Sequence, residues 1–167
     1  MEPHPRIKLT VTSFDKSIET AGLMLIFILW ILTLVAFYNL PHIIPVHFNA
    51  AGRPDANGDK TMLFILPILA TIIFAGLSIL IRHPHFLNYA SPITVHNAEQ
   101  QYITATKMLR MLNAGIALIF TLIVLFTYLT AAGITSGLGA WFLPLVIIIC
   151  FGPMLYYSIK NKQENKK

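Results

Sequence analysis

The chain has 167 residues, of which 56% are hydrophobic and only 11% charged, and its mean hydropathy is +0.68. A soluble globule of this size has too little interior to hide that much apolar surface, which excludes most soluble enzymes, disordered tails and disulfide scaffolds. The net charge of +5 would point to nucleic acid in a soluble protein, but here its distribution along the chain reads as a topology signal, and no nucleic-acid partner is expected.

In chain order, Ile7, Leu9 and Val11 alternate with Lys8, Thr10 and Thr12, which predicts an extended segment. Thr12 or Ser13 then offers a helix N-cap, with Asp15 placed where the helix dipole favours negative charge. Four apolar runs follow, at about residues 21–40, 62–81, 112–132 and 139–159, and none contains Asp, Glu, Lys, Arg or His. Roughly 20 residues rising 1.5 Å each cross a hydrocarbon core of about 30 Å. In lipid every backbone polar group must be satisfied within its own segment, so continuous apolar runs read as helices. The expected fold is therefore all-α: an integral membrane four-helix bundle forming one domain over residues 1–167, in contact with the lipid bilayer. The first run is too long for the core of a signal peptide and is expected to stay. Cys150, the single cysteine, lies in the fourth run as apolar filler.

Basic residues orient the bundle. Arg6, Lys8, Lys16, Arg82, Lys107, Arg110, Lys160, Lys162, Lys166 and Lys167, ten of the twelve, fall on one side, leaving Arg53 and Lys60 on the other. Positive residues gather in the cytoplasm, so both termini are expected there, in a plasma (inner) membrane. The loop at 41–61 then faces outward as an ordered cap, with turns at Ala51-Gly52 and Asn57-Gly58. The loop at 82–111 is cytoplasmic. Within it Val95, Ala98, Tyr102, Ala105 and Leu109 recur at helical spacing, which predicts an amphipathic helix capped by Thr94 before the third span.

Chemistry-bearing residues are divided by this topology. His42 and His47 are outside, while His4, His83, His85 and His96 are inside, too far apart to share a site. His47 with Asp55 and Asp59 is a weak three-ligand metal candidate. Inside, His96 and Glu99 stand one turn apart. Asp55, Asn57 and Asp59 imitate the start of a calcium loop, but the glycine falls at the fourth place and Leu66 stands at the twelfth, where a glutamate is needed. The spans hold no charged partner for a translocated ion, which disfavours transport. No cofactor and no catalytic residue is called for.

The outer loop reads LPHIIPVHFNAAGRPDANGDK. It resembles the signature of the domain of unknown function 1648 family, approximately LPxxIPxHFNxxGxPDxxGxK, through Leu40, Pro41, Ile44, Pro45, His47, Phe48, Asn49, Gly52, Pro54, Asp55, Gly58 and Lys60. Asn88, Tyr89, Asn97, Glu99 and Tyr102 are similar to the middle loop of a branch of that family. The domain is also similar to the N-terminal part of SdpI-type immunity proteins, which protect a producing bacterium from its own peptide toxin. The resemblance implies a bacterial membrane protein, most relatives of which have no assigned activity. From the residues themselves, Pro41 and Pro45 stiffen the loop, Gly52 and Gly58 turn it, Asp55 pairs with Lys60, and His47 and Asn49 are the candidates for ligand contact. The expected function is a non-enzymatic, outward-facing binding or immunity-type protein against a secreted peptide. The alternatives are a metal-dependent membrane enzyme using the outer-loop His and Asp residues, and an accessory subunit docking another membrane or cytoplasmic protein through the segment from Thr94 to Leu109.

Overall fold

The computed structural model describes residues 5–89 and 91–164. His4, expected inside, and Lys166 and Lys167, two of the ten basic residues on that side, lie outside the described residues. The elements are α1 (Ser13–Asn39), β1 (Ile43–Phe48), β2 (Pro54–Asp59), a 3-10 turn at Lys60–Phe64, α2 (Ile65–Arg82), a second 3-10 turn at Pro84–Phe86, α3 (Ala98–Ala131) and α4 (Phe142–Glu164).

Local chemistry explains most of these boundaries. Thr12 caps α1 through a reciprocal box: its Oγ1 accepts from the Asp15 N–H at 3.2 Å, and Asp15 Oδ2 accepts from the Thr12 N–H at 2.9 Å. At the other end the chain turns extended at Leu40, whose N–H still bonds the Ala36 carbonyl, and Pro41 cannot continue the ladder. The amphipathic segment and the third span form one helix of 34 residues, about 50 Å long and well beyond the hydrocarbon thickness. That helix starts at Ala98 and not at Thr94. Asn97 Oδ1 takes the Thr94 N–H at 2.8 Å and its Nδ2 donates to the Pro92 carbonyl at 3.0 Å, so residues 94–97 close a turn first.

Helix α3 is the central element, packing on α1, α2 and α4. It runs parallel to α1, as Arg110 reaches Glu19 and Thr121 Oγ1 donates to the Leu25 carbonyl at 3.3 Å. It runs antiparallel to α2, where Asn113 Nδ2 donates to the Phe74 carbonyl at 3.2 Å and to Ser78 Oγ at 3.1 Å. Leu29, Ala70 and Val124 form the mid-bundle core, and Ala36, Leu40, Ile44 and Leu63 a second cluster toward the hairpin. The outward faces are as greasy as the inward ones, with Phe27, Ile72 and Ile148 about two-thirds exposed. Among the described residues, four helices are long and apolar enough to cross a membrane. The protein is thus a mainly helical, multi-pass membrane protein.

Two expectations change here. The loop between α1 and α2 is a two-stranded antiparallel hairpin, in the register Ile43 to Asp59, Ile44 to Gly58 and Pro45 to Asn57, with irregular pairing around His47. Asn57-Gly58 is therefore part of β2, and Gly58 has no positive φ. The amphipathic face at the start of α3 is used internally: Ala98, Tyr102 and Leu109 are buried in this chain. That leaves the accessory-subunit reading without its docking stripe.

Candidate functional site

The hairpin is built at the end of the bundle where α1 stops and α2 begins, and residues 49–53 form its tip. Asn49 shapes that tip. Its Oδ1 accepts from the N–H groups of Ala51 at 2.9 Å and Arg53 at 3.1 Å, while its own N–H bonds the Arg53 carbonyl at 2.9 Å. Gly52 takes φ +72, a conformation that side chains oppose. Its carbonyl then accepts from Leu138 N–H at 2.7 Å and Gly139 N–H at 3.3 Å, in the loop between α3 and α4. Gly137 and Gly139 allow this approach, since a Cβ on Gly137 would collide with the Gly52 carbonyl and one on Gly52 with the Gly139 backbone. The tip is thereby latched to the far half of the bundle.

Under the latched hairpin lies a groove of about 540 Å³, within the range of small-molecule sites. It is lined by Ile44, Val46 and Phe48 of the hairpin, by Met62 and Leu66, by Ile123 and Thr127 of α3, and by Phe142 and Leu143 of α4. His47 and Asn49 supply polar groups to this largely apolar lining. Of the signature residues, Ile44, Pro45, His47, Phe48, Asn49 and Gly52 line the groove, whereas Leu40, Pro41, Pro54, Asp55, Gly58 and Lys60 do not.

Those others act behind it. Asp55 Oδ1 meets His47 Nδ1 at 2.5 Å, with side-chain exposures of 40% and 68%. The expected partner of Asp55 was Lys60, but the ladder carries Lys60 away: its Nζ donates to the Leu40 carbonyl at 3.1 Å and sits 4.9 Å above the Phe37 ring. There it covers the carbonyl end of α1, where a cation is favourable. The exchange leaves His47 oriented by a carboxylate, with Nε2 as its remaining polar atom. Pro54 pairs with Phe48, and Gly58 lies against Val46 and Met62, where a Cβ would be 3.1 Å from both side chains. Asp59 Oδ1 accepts from the Thr61 N–H at 2.8 Å, and this bond holds its carboxyl below the ordinary carboxylate range. Asp59 pairs with Ile43, at the opposite end of the ladder from His47. The three proposed metal ligands are therefore not brought together, and among the described residues no three His, Cys, Asp or Glu side chains group so as to hold a metal ion.

The middle-loop residues are mostly braces. Tyr89 donates to the Pro84 carbonyl at 2.9 Å and lies against Tyr102, and burial, reinforced by Tyr102, pushes its hydroxyl above the ordinary value. Tyr102 donates to the Pro5 carbonyl at 3.0 Å, tying the N-terminal segment to α3. Asn97 closes the turn described above, Asn88 is exposed, and Glu99 faces a separate recess with His96.

Two features escaped the sequence reading. The groove walls from α3 and α4 lie some 80 to 100 residues from the hairpin, and only the Gly137-x-Gly139 spacing hinted that a backbone approaches there. At the other end of the bundle, Arg110, buried, donates to Glu19 Oε1 at 2.6 Å and stands 3.9 Å from Asp15 Oδ1. Its signal was there: an Asp and a Glu one turn apart on α1, and a lone Arg flanking an apolar run.

Residues 24–71 match the family model described as Domain of unknown function (DUF1648), a stretch centred on the hairpin with parts of α1 and α2 on either side. A protein of Archaeoglobus fulgidus, itself described as uncharacterized, is 33% identical over 86 residues, covering 47% of this chain and 47% of its own. The chain thus spans about half the length of that relative. No solved structure matches.

Proposed function

We propose that the protein is a non-enzymatic binding protein whose hairpin end faces outward and whose groove receives an apolar stretch of a secreted peptide, as an immunity-type protein would. The observation that supports this reading is the groove itself. It is large and mostly apolar, signature residues from Ile44 to Gly52 line it, and two of them, His47 and Asn49, bring polar groups to orient an occupant. His47 is held by Asp55, so it meets a peptide carbonyl or amide with less conformational freedom left to lose. The excess of basic residues at the opposite end supports the outward placement of the hairpin. The resemblance to the N-terminal part of SdpI-type proteins points the same way.

Binding would be tested by toxin survival of a deletion strain complemented with variants at normal abundance. Leu143→Trp fills the groove from an exposed position and should abolish protection. His47→Ala should weaken protection about 5- to 10-fold, the worth of one hydrogen bond. Equal survival of the deletion and complemented strains across secreted peptide toxins would overturn the proposal.

A further inference from the structure

The end of the bundle away from the hairpin carries a second recess, of about 430 Å³, walled by the first turns of α3 and by Tyr157 of α4. Its lining differs from that of the groove. Glu99 and Lys107 bring charges of both signs, His96 and Thr104 add polar groups, and Ile103 supplies an apolar patch. Asp15 of α1 stands close by. It is only 3% exposed, its Oδ1 has no hydrogen-bond partner, and Lys107 and Tyr157 from the recess lie within its electrostatic reach. Arg110 Nη1, at 3.9 Å, is too far to bond that oxygen well.

We propose that this recess binds the headgroup of a phospholipid carrying a primary ammonium, of the ethanolamine type. The site lies where the apolar runs of α1, α3 and α4 give way to charge, which is the depth of lipid headgroups and not of a soluble ligand. The phosphodiester meets Lys107 and the Thr104 hydroxyl. The ammonium meets Glu99, which lies on the same recess somewhat more than one turn before Thr104 and about two turns before Lys107. A primary ammonium carries three N–H donors; a trimethylammonium carries the same charge and none. A glycerol headgroup carries no cation and would leave Glu99 without a counter-charge. The proposal is independent of the groove under the hairpin.

The experiment is native mass spectrometry of the purified full chain with phosphatidylethanolamine, phosphatidylcholine and phosphatidylglycerol of matched acyl chains, with thermal unfolding in the same lipids as a second readout. Phosphatidylethanolamine should bind about five-fold or more tighter than phosphatidylcholine, the worth of at least one hydrogen bond to a charged group. Glu99→Gln, at an exposed position, should remove most of that preference. Lys107→Gln should weaken both lipids alike by loss of the phosphate contact. Equal binding of phosphatidylethanolamine and phosphatidylcholine, tightest binding of phosphatidylglycerol, or a preference untouched by Glu99→Gln would overturn the proposal.

Discussion

Gly52 combines a turn requirement with a docking requirement, and the two are separable in kind. At φ +72 any side chain is strained, and a Cβ there would also meet the Gly139 backbone, which cannot swing aside as a side-chain tip could. Gly52→Ala should therefore cost about 1–3 kcal/mol in thermal or denaturant unfolding in detergent. It should also release the hairpin tip to protease while leaving the helices intact. Asp59 is a second single-residue device. Its folded carboxyl titrates below the ordinary carboxylate value of 3.8 because the Thr61 N–H bonds the charged form. A lowered folded value means the bond supports the fold above pH 3.8 and is lost as pH falls through the lower folded value. An NMR titration should show the Thr61 amide shifting in that acid window, and Asp59→Asn should flatten the shift.

At the level of elements, α1 is tied to α3 by charge at one end and to α2 by a ring N–H farther along. Trp30 Nε1 donates to Thr71 Oγ1 at 3.1 Å, a bond worth little in a membrane protein, where interhelical hydrogen bonds average about 0.6 kcal/mol. The Arg110 cluster is different, because the guanidinium is buried with Glu19 on Nε and Asp15 near Nη1. Arg110→Ala leaves the carboxylates facing each other across a void, and should cost about 2–3 kcal/mol. That lies below the full penalty for breaking a buried pair because Glu19 reaches solvent. Replacing Glu19 and Arg110 together by Leu and Met should recover much of this loss in the same unfolding assay. Recovery smaller than 0.5 kcal/mol would show that the cluster contributes more than paired charge.

For the whole molecule, the topology is the premise behind the binding proposal, and it has a direct measurement. In a Cys150→Ala background, cysteine placed at Arg53 should react with a membrane-impermeant maleimide in intact cells, and cysteine placed at Gln100 should react only after lysis. The reverse pattern would turn the groove to the cytoplasm.

The four helices, their approximate extents and an α1 cap at Thr12 or Ser13 were legible in the amino-acid sequence, and the structure selects Thr12. These follow from local rules: an uncharged run of about 20 residues has no other way to satisfy its backbone in lipid, and Thr12 with Asp15 closes a box within one turn. The signature also marked the hairpin region as ordered, although Pro45 and Pro54 concealed its strands. Tertiary structure decided the rest, because it depends on partners distant in the chain. His47 takes Asp55 since strand pairing sends Lys60 to the end of α1. Gly52 finds Leu138 and Gly139 only once α3, packed on α1 and α2, brings the loop between α3 and α4 to the hairpin. Arg110 reaches Glu19 across 91 residues because two parallel helices set them at the same height. No local pattern specifies such encounters; the packing of the assembled bundle does.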